Sequence, residues 1–189
     1  MSNVWPADQS VFELVEEVKT KWHPHLKEAN VAVSIKDAKA FVRNRFNWGN
    51  TSRFSPGARV HMPEDKRYDF LITLASDAWN ILTSDQKEAL ADLRVSCMQV
   101  EYEPEFVEEN GKKKPVKDKW GRLVYTNVIK VDDNGNPKWK CVPLDLHVIQ
   151  DNVGRYGCWC QDLIDLKSVI KNAELRVLKS VVKIEEVNE

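Results

Sequence analysis

The sequence predicts an α+β fold, a small mixed β-sheet with helices packed on it and a long helix at the C-terminal end. Three observations carry this expectation. Tyr68-Asp-Phe-Leu-Ile-Thr-Leu74 is apolar on both faces, as an internal strand covered by helices must be. Asn30-Val-Ala-Val-Ser-Ile35 alternates with the two-residue period of a strand, whereas Phe12, Leu14, Val15, Val18 and Trp22 recur at helical spacing. There is no internal repeat and no second composition. The 189 residues, 42% hydrophobic, suit one domain over 1–189 with a sizeable core.

Asp8 or Ser10 is placed to cap the first helix. His23-Pro24 ends it, because a residue before proline is pushed out of the α region. Ala38 to Phe46 fits either a strand or a helix. Asn47-Trp-Gly-Asn-Thr-Ser52 and Ser55-Pro-Gly57 read as loops. After the 68–74 strand, Ser76-Asp77 caps a short helix carrying Ala78, Trp79, Ile81 and Leu82. Thr83-Ser84-Asp85 opens another, from Gln86 to about Val100. Ser84 with Lys87 three residues on is not a capping box, yet an acid at Asp85 suits the positive end of the helix dipole.

Residues 101–119 are polar and change sign along their length. Glu101, Glu103, Glu105, Glu108 and Glu109 come first; Lys112, Lys113, Lys114, Lys117 and Lys119 follow. Around Asn110-Gly111 this reads as a solvated hairpin insertion whose arms carry opposite charges. Leu123–Val131 and Lys138–Val142 form a second hairpin about Asp133-Asn-Gly-Asn136. Pro143 starts a helix to about Tyr156. A final helix over 161–185 carries Leu163, Leu166, Val169, Ile170, Ala173, Val177, Leu178 and Val181 on its apolar side.

A formal net charge of −1 gives no global drive toward nucleic acid or acidic membranes. No apolar run is long enough to span a bilayer, and the N-terminus lacks a basic, apolar signal pattern. The expectation is a cytoplasmic protein with no membrane partner, whose four cysteines are reduced thiols. Seven tryptophans supply core and interface anchors.

Glu88-Ala-Leu-Ala-Asp92-Leu93-Arg94-Val-Ser-Cys97 has the frame of a zinc-peptidase helix without its chemistry. Such a helix reads H-E-x-x-H: two His at i and i+4 bind one zinc from one face, and the Glu is the general base. Other landmarks surround it in order. Trp22-His-Pro-His-Leu26 ends the first helix. Tyr68-Asp-Phe-Leu-Ile-Thr-Leu-Ala-Ser-Asp-Ala-Trp79 joins a strand to a D-x-W helix. Asp85-Gln-Lys-Glu-Ala-Leu-Ala-Asp92 runs into the altered motif, and Lys138-Trp139, Asp145 and Arg155-Tyr-Gly-Cys-Trp159 follow. Over roughly residues 5–165 this ordered set resembles the phage metallopeptidase family, a zincin-like group found mostly in phages and prophages.

The resemblance implies a zincin-like domain and identifies the departures. Leu93 and Cys97 stand at the two His places of the metal pair, Arg94 at the Glu base, and Leu144 at the third ligand. Leucine and arginine cannot coordinate zinc, and a protonated guanidinium cannot act as a base. No catalytic residue, no metal ligand and no cofactor is therefore expected. Asp92 and Asp145, which look like orienting residues in the family pattern, are left to pair with Arg94 or Arg155.

Other constellations stay open. Cys97, Cys141, Cys158 and Cys160 are either free thiols or a displaced structural zinc site, although Cys-x-Cys is poor chelate spacing. Cys97 beside His147 could instead be a nucleophile in a hydrolase with a non-standard site. His23, His25 and His61 lie outside the metal frame, in capping or packing roles. In the 36–60 segment, Lys36, Lys39, Arg43, Arg45, Arg53 and Arg59 interleave with Phe41, Phe46, Trp48 and Phe54. They form a basic outer sheet face or a nucleic-acid-binding module using Lys39, Arg43, Arg45, Trp48 and Arg53. The leading expectation is a catalytically inactive pseudo-metallopeptidase of phage or mobile-element origin. It binds a host protein or protein–nucleic acid complex, through Arg94, Lys112, Lys113 and Lys114, as an inhibitor of bacterial defence of the anti-CRISPR or anti-restriction type.

Overall fold

The computed structural model describes residues 3–42, 45–109, 111–133, 135–144 and 146–171; the side chains of 41–46, 65, 146 and 147 lie outside that description. The chain opens with a short strand, β1 (Val4–Pro6), followed by helix α1 (Gln9–Trp22). Asp8 is the N-cap residue of α1, without a side-chain capping bond. His23 ends it, and Pro24–Leu26 forms a single 3-10 turn. Strand β2 (Val31–Lys36) follows where the alternating pattern predicts it.

The ambiguous stretch that comes next is neither one strand nor one helix. It forms two short paired strands, β3 (Phe41–Val42) and β4 (Arg45–Phe46). The two predicted loops also differ. Asn50–Arg53 is strand β5, and Pro56–Val60 is a short helix, α2, whose N-cap Ser55 accepts from the Ala58 amide. Strand β5 lacks any hydrophobic pattern because it is an edge strand, specified by its neighbour. Strand β6 (Phe70–Ala75) lies between β2 and β5, so that the four-stranded sheet has the order β1-β2-β6-β5. Only β2 and β6 run parallel; the two edge pairings are antiparallel. Gly49, at φ +93°, brings the chain onto β6 so closely that a Cβ there would lie 1.9 Å from the Thr73 carbonyl oxygen.

Helices α3 (Ser76–Ile81) and α4 (Ser84–Val95) follow β6 directly. Ala75, rather than Ser76, occupies the N-cap of α3. A capping box does open α4, one residue earlier than Ser84: Thr83 accepts from the Gln86 amide and the Gln86 side chain returns to the Thr83 amide. The helix also ends sooner than predicted. Met98–Val100 is strand β7, held by antiparallel pairing with β12 (Trp139–Cys141). Long-range strand pairing thus overrides the helical continuity that a one-dimensional reading gives.

Between these partners run β8 (Tyr102–Pro104), β9 (Phe106–Glu109), β10 (Lys112–Pro115) and β11 (Tyr125–Ile129). The β9–β10 hairpin sets Glu109 against Lys112 and Glu108 against Lys113. Near the predicted turn the Asp132 carbonyl accepts from the Gly135 amide, and residue 134 lies outside the described residues. Its flanking strands do not form one ladder, however: β11 pairs with β8 and β12 with β7, and a lone Val131–Pro137 bridge joins the neck. Helix α5 (Leu146–Tyr156) starts past Pro143, and a further helix covers 161–171; the predicted remainder to 185 lies outside the described residues.

The core lies between the sheet and the helices. Phe70, Ile72 and Leu74 of β6 face Val15 and Val18 of α1 and Leu90 of α4 in one buried cluster. Each such side chain contributes on the order of 1.5–3 kcal/mol when fully withdrawn from water. No helix among the described residues is long and apolar enough to cross a membrane.

Candidate functional site

Leu93 and Arg94 lie on α4, with Cys97 just past its end, and the helix packs against α1, α5 and β5. From Ala89 to Val95 every residue is buried, so this helix is central and not an amphipathic surface element. Leu93 is 8% exposed and belongs to the core cluster. Cys97 is 4% exposed, just past the helix end, and its thiol donates to the Leu93 carbonyl at 3.4 Å. The Val142 amide donates to the Cys97 carbonyl at 2.8 Å, which brings the chain before Leu144 to the end of α4. Leu144 itself is 40% exposed and does not join Leu93 and Cys97 in the interior.

Arg94 is the residue that departs most from expectation. It is 5% exposed, in the interior and not on the open surface. Nor does it pair with Asp92, which turns to other donors. Its Nε is buried without a hydrogen-bond acceptor. Burial pushes its pKa below the ordinary arginine value, and the Cys97 sulfur opposes that shift.

These side chains do not fit a zinc ion. Leu93 brings no donor atom, Cys97 uses its thiol proton on a backbone carbonyl, and Arg94 places a cation beside both. Among the described residues, no group of three or more His, Cys, Asp or Glu could hold a metal. The four cysteines form no disulfide: Cys97 and Cys160 are buried, Cys158 is half-buried and Cys141 is exposed. Burial raises the pKa values of Cys141 and Cys160, which favours their thiol forms. The side chain of His147, the partner imagined for a Cys97 nucleophile, lies outside the described residues, as does Asp145.

One residue before Leu93 sits a polar cluster. Asp92, 0% exposed, accepts from His23 Nε2 at 2.8 Å and from Asn152 Nδ2 at 2.7 Å. Arg155 adds Nε at 3.1 Å and Nη2 at 2.9 Å. Burial alone would raise the Asp92 pKa. The donors from His23, Asn152 and Arg155 outweigh it and hold the carboxyl below the usual range. Of the two cations proposed for Asp92, Arg155 takes the carboxylate. Asn152 also donates to the Ala89 carbonyl at 2.9 Å and accepts from Trp159 Nε1 at 2.7 Å. One carboxylate thereby ties α1, α4 and α5 together.

A polar cavity of about 400 Å³ opens beside this cluster, lined by Trp22, His23, His25, Ser96, Gln99 and Arg155. Burial and the charge of His23 lower the pKa of His25, against a backbone hydrogen bond at Met98. Sequence reasoning placed His23 correctly at a helix end but missed its bond to Asp92, 69 residues away. Asn152 was missed altogether. No local pattern marks it; its role exists through the packing of α5 on α4.

The basic 36–60 segment is partly committed to internal contacts. Arg53 donates through Nη1 to the Trp139 carbonyl, and Arg59 meets Asp69 at 2.9 Å. Trp48 packs partly buried on the core, with its ring edge-on to Trp159 at 5.6 Å. Lys39 is exposed; Arg43 and the Arg45 side chain lie outside the described residues. Lys112, Lys113 and Lys114 are exposed along β10, with Lys114 pairing Glu109 at 2.8 Å. Large apolar side chains are exposed nearby in sequence, among them Phe106, Val107, Trp120 and Tyr125. Lys119 and Arg122 lie 4.2 Å and 4.7 Å from the centre of the Trp120 ring.

A family model described as "Putative phage metallopeptidase" aligns with residues 4–173. No curated protein and no solved structure matches the chain. With the ordered landmarks around α4 and a match that spans most of the chain, the protein belongs to this phage metallopeptidase family.

Proposed function

We propose that this family member acts by binding a host protein rather than by zinc-dependent hydrolysis, as a pseudoenzyme of phage or mobile-element origin. The side chains on α4 carry this conclusion. Leu93, Arg94 and Cys97 stand where two imidazoles and a carboxylate would be needed, and a buried cation takes the place of the base. Hydrolysis by zinc hydroxide needs an open metal position, a lowered water pKa and a base; these residues supply none of them. The 101–131 strands support a binding role, because they present lysines together with exposed aromatic and aliphatic side chains. The biological role that goes with such a protein is inhibition of a bacterial defence complex of the CRISPR or restriction type.

Two measurements test this together. Purified protein should carry well under one zinc per chain and show no chelator-sensitive cleavage of a mixed peptide library. A tagged chain should retain a defined protein from a bacterial lysate, and the triple variant Lys112→Glu, Lys113→Glu, Lys114→Glu should lose it. Stoichiometric zinc with chelator-sensitive cleavage would overturn the proposal. Equal capture by the triple variant would remove the lysine strand from the interface.

A further inference from the structure

Arg94 differs from the other strongly buried or ion-paired cations Lys19, Arg59 and Arg155 in having no carboxylate partner among the described residues. Lys19, equally buried, reaches Glu16 at 2.7 Å and the Ala29 carbonyl at 2.8 Å. Arg59 meets Asp69 and Arg155 meets Asp92, each at 2.9 Å. Arg94 has no carboxylate among the described residues, and its buried Nε has no acceptor at all. Burying a charge without a counter-charge is costly, and a leucine or methionine at this position would fill the space without that cost. The backbone beneath it is fixed, since the Arg94 carbonyl accepts from the Thr51 hydroxyl of β5 at 2.8 Å. The backbone is thus fixed, and the side chain above it carries a buried Nε without an acceptor.

A guanidinium offers five N–H donors in a planar fork that matches the oxygens of a carboxylate or phosphate. Its attraction for such a group is strengthened by the low dielectric around it. With 5% of the residue exposed, access is narrow. A guanidinium so little exposed suits a terminal oxyanion carried on an extended group, such as an acidic side chain, a C-terminal carboxylate or a phosphomonoester.

We propose that Arg94 is an oxyanion-binding residue, whose guanidinium takes a carboxylate or phosphate group of the molecule this protein binds. This rests on the binding role argued above and names the chemistry of the ligand group.

The test uses the full-length chain, ¹⁵N-labelled, with the Arg94 Nε–H resonance assigned through both Arg94→Met and Arg94→Lys. Sodium phosphate and sodium acetate are titrated separately against sodium chloride at equal ionic strength, and thermal midpoints are read in parallel. The expected result is a saturable shift of the Arg94 resonance with phosphate, acetate or both, and not with chloride. The thermal midpoint should rise in the wild type and not in either variant. A response to one anion alone assigns the source as phosphate or carboxylate.

Absence of a saturable shift, or an equal thermal response in the variants, would overturn the proposal. So would a response that emerges only in Asp145→Asn, because the guanidinium would then belong to that carboxylate. Partner capture that survives loss of the anion response defeats this inference alone, whereas zinc-dependent cleavage defeats the binding role itself.

Discussion

Replacing Asp92 with alanine should cost about 3–5 kcal/mol of stability at pH 7, the range for breaking a buried charge pair from one side. The carboxylate is 0% exposed and accepts four bonds of 2.7–3.1 Å from His23, Asn152 and Arg155. Alanine would leave the Arg155 guanidinium and the buried His23 without their shared acceptor. In a protein of this size each kcal/mol moves the thermal midpoint by roughly 2–4 °C, so the midpoint should fall by roughly 6–20 °C. Asp92→Asn keeps the shape but sets an amide N–H₂ against at least one donor, and should also destabilise.

The pH dependence has a definite sign. The folded-state pKa of Asp92 lies below its unfolded value of about 4. Its contribution is therefore fully present above that unfolded value and is lost as the pH falls through the folded-state pKa. Urea titrations from pH 7 to pH 3 should show a steeper acid loss in the wild type than in Asp92→Asn. A loss below about 1 kcal/mol at pH 7, the worth of an exposed pair, would refute the central role given to this carboxylate. So would identical acid slopes in the two proteins.

Three further outcomes follow from single contacts. Gly49→Ala should destabilise by about 2–4 kcal/mol, from the left-handed backbone and the clash with the Thr73 carbonyl; a urea midpoint within error of the wild type would show that the approach relaxes freely. Thr83→Ala removes half of the α4 capping box and should cost about 1 kcal/mol, read by the same titration; no change would assign the cap to water or to another side chain. Trp159→Phe keeps most of the buried ring but leaves the Asn152 oxygen without its donor, a loss of about 1–3 kcal/mol; a neutral result would mean that Asn152 finds another partner.

The parts of the fold legible in the sequence are those with a pattern of their own. Strand β2 alternates, β6 is apolar throughout, and α1 shows its apolar residues at helical spacing and stops at His23-Pro24. What escaped reading is set by distant neighbours. Strand β5 is Asn-Thr-Ser-Arg, and it is a strand because Gly49 lets it approach β6. Met98–Val100 continues a helical pattern but pairs with Trp139–Cys141, about 40 residues on, because two chain segments meet there. The site divides in the same way. The frame of Leu93, Arg94 and Cys97 is local and could be read directly. The Asp92 cluster is not local: its donors come from helices 60 or more residues away in either direction. Burial of Arg94 was likewise invisible, because an arginine in a single sequence looks like surface.

The edges of the main sheet are poorly suited to strand addition. On one side β1 is three residues long and includes Pro6, which has no N–H to offer. On the other, the β5 residue Arg53 reaches across to the Trp139 carbonyl of β12. The β9–β10 hairpin is different, being a two-stranded sheet with an outer edge on each strand. Its charge pattern decides which pairings those edges tolerate. Two copies meeting β10 to β10 about a two-fold axis would set Lys112–Lys114 against the same lysines, and β9 to β9 would oppose Glu108 and Glu109 in the same way. The hairpin is thus guarded against symmetric self-association, while its backbone donors and acceptors stay available to a strand with a different sequence of charges.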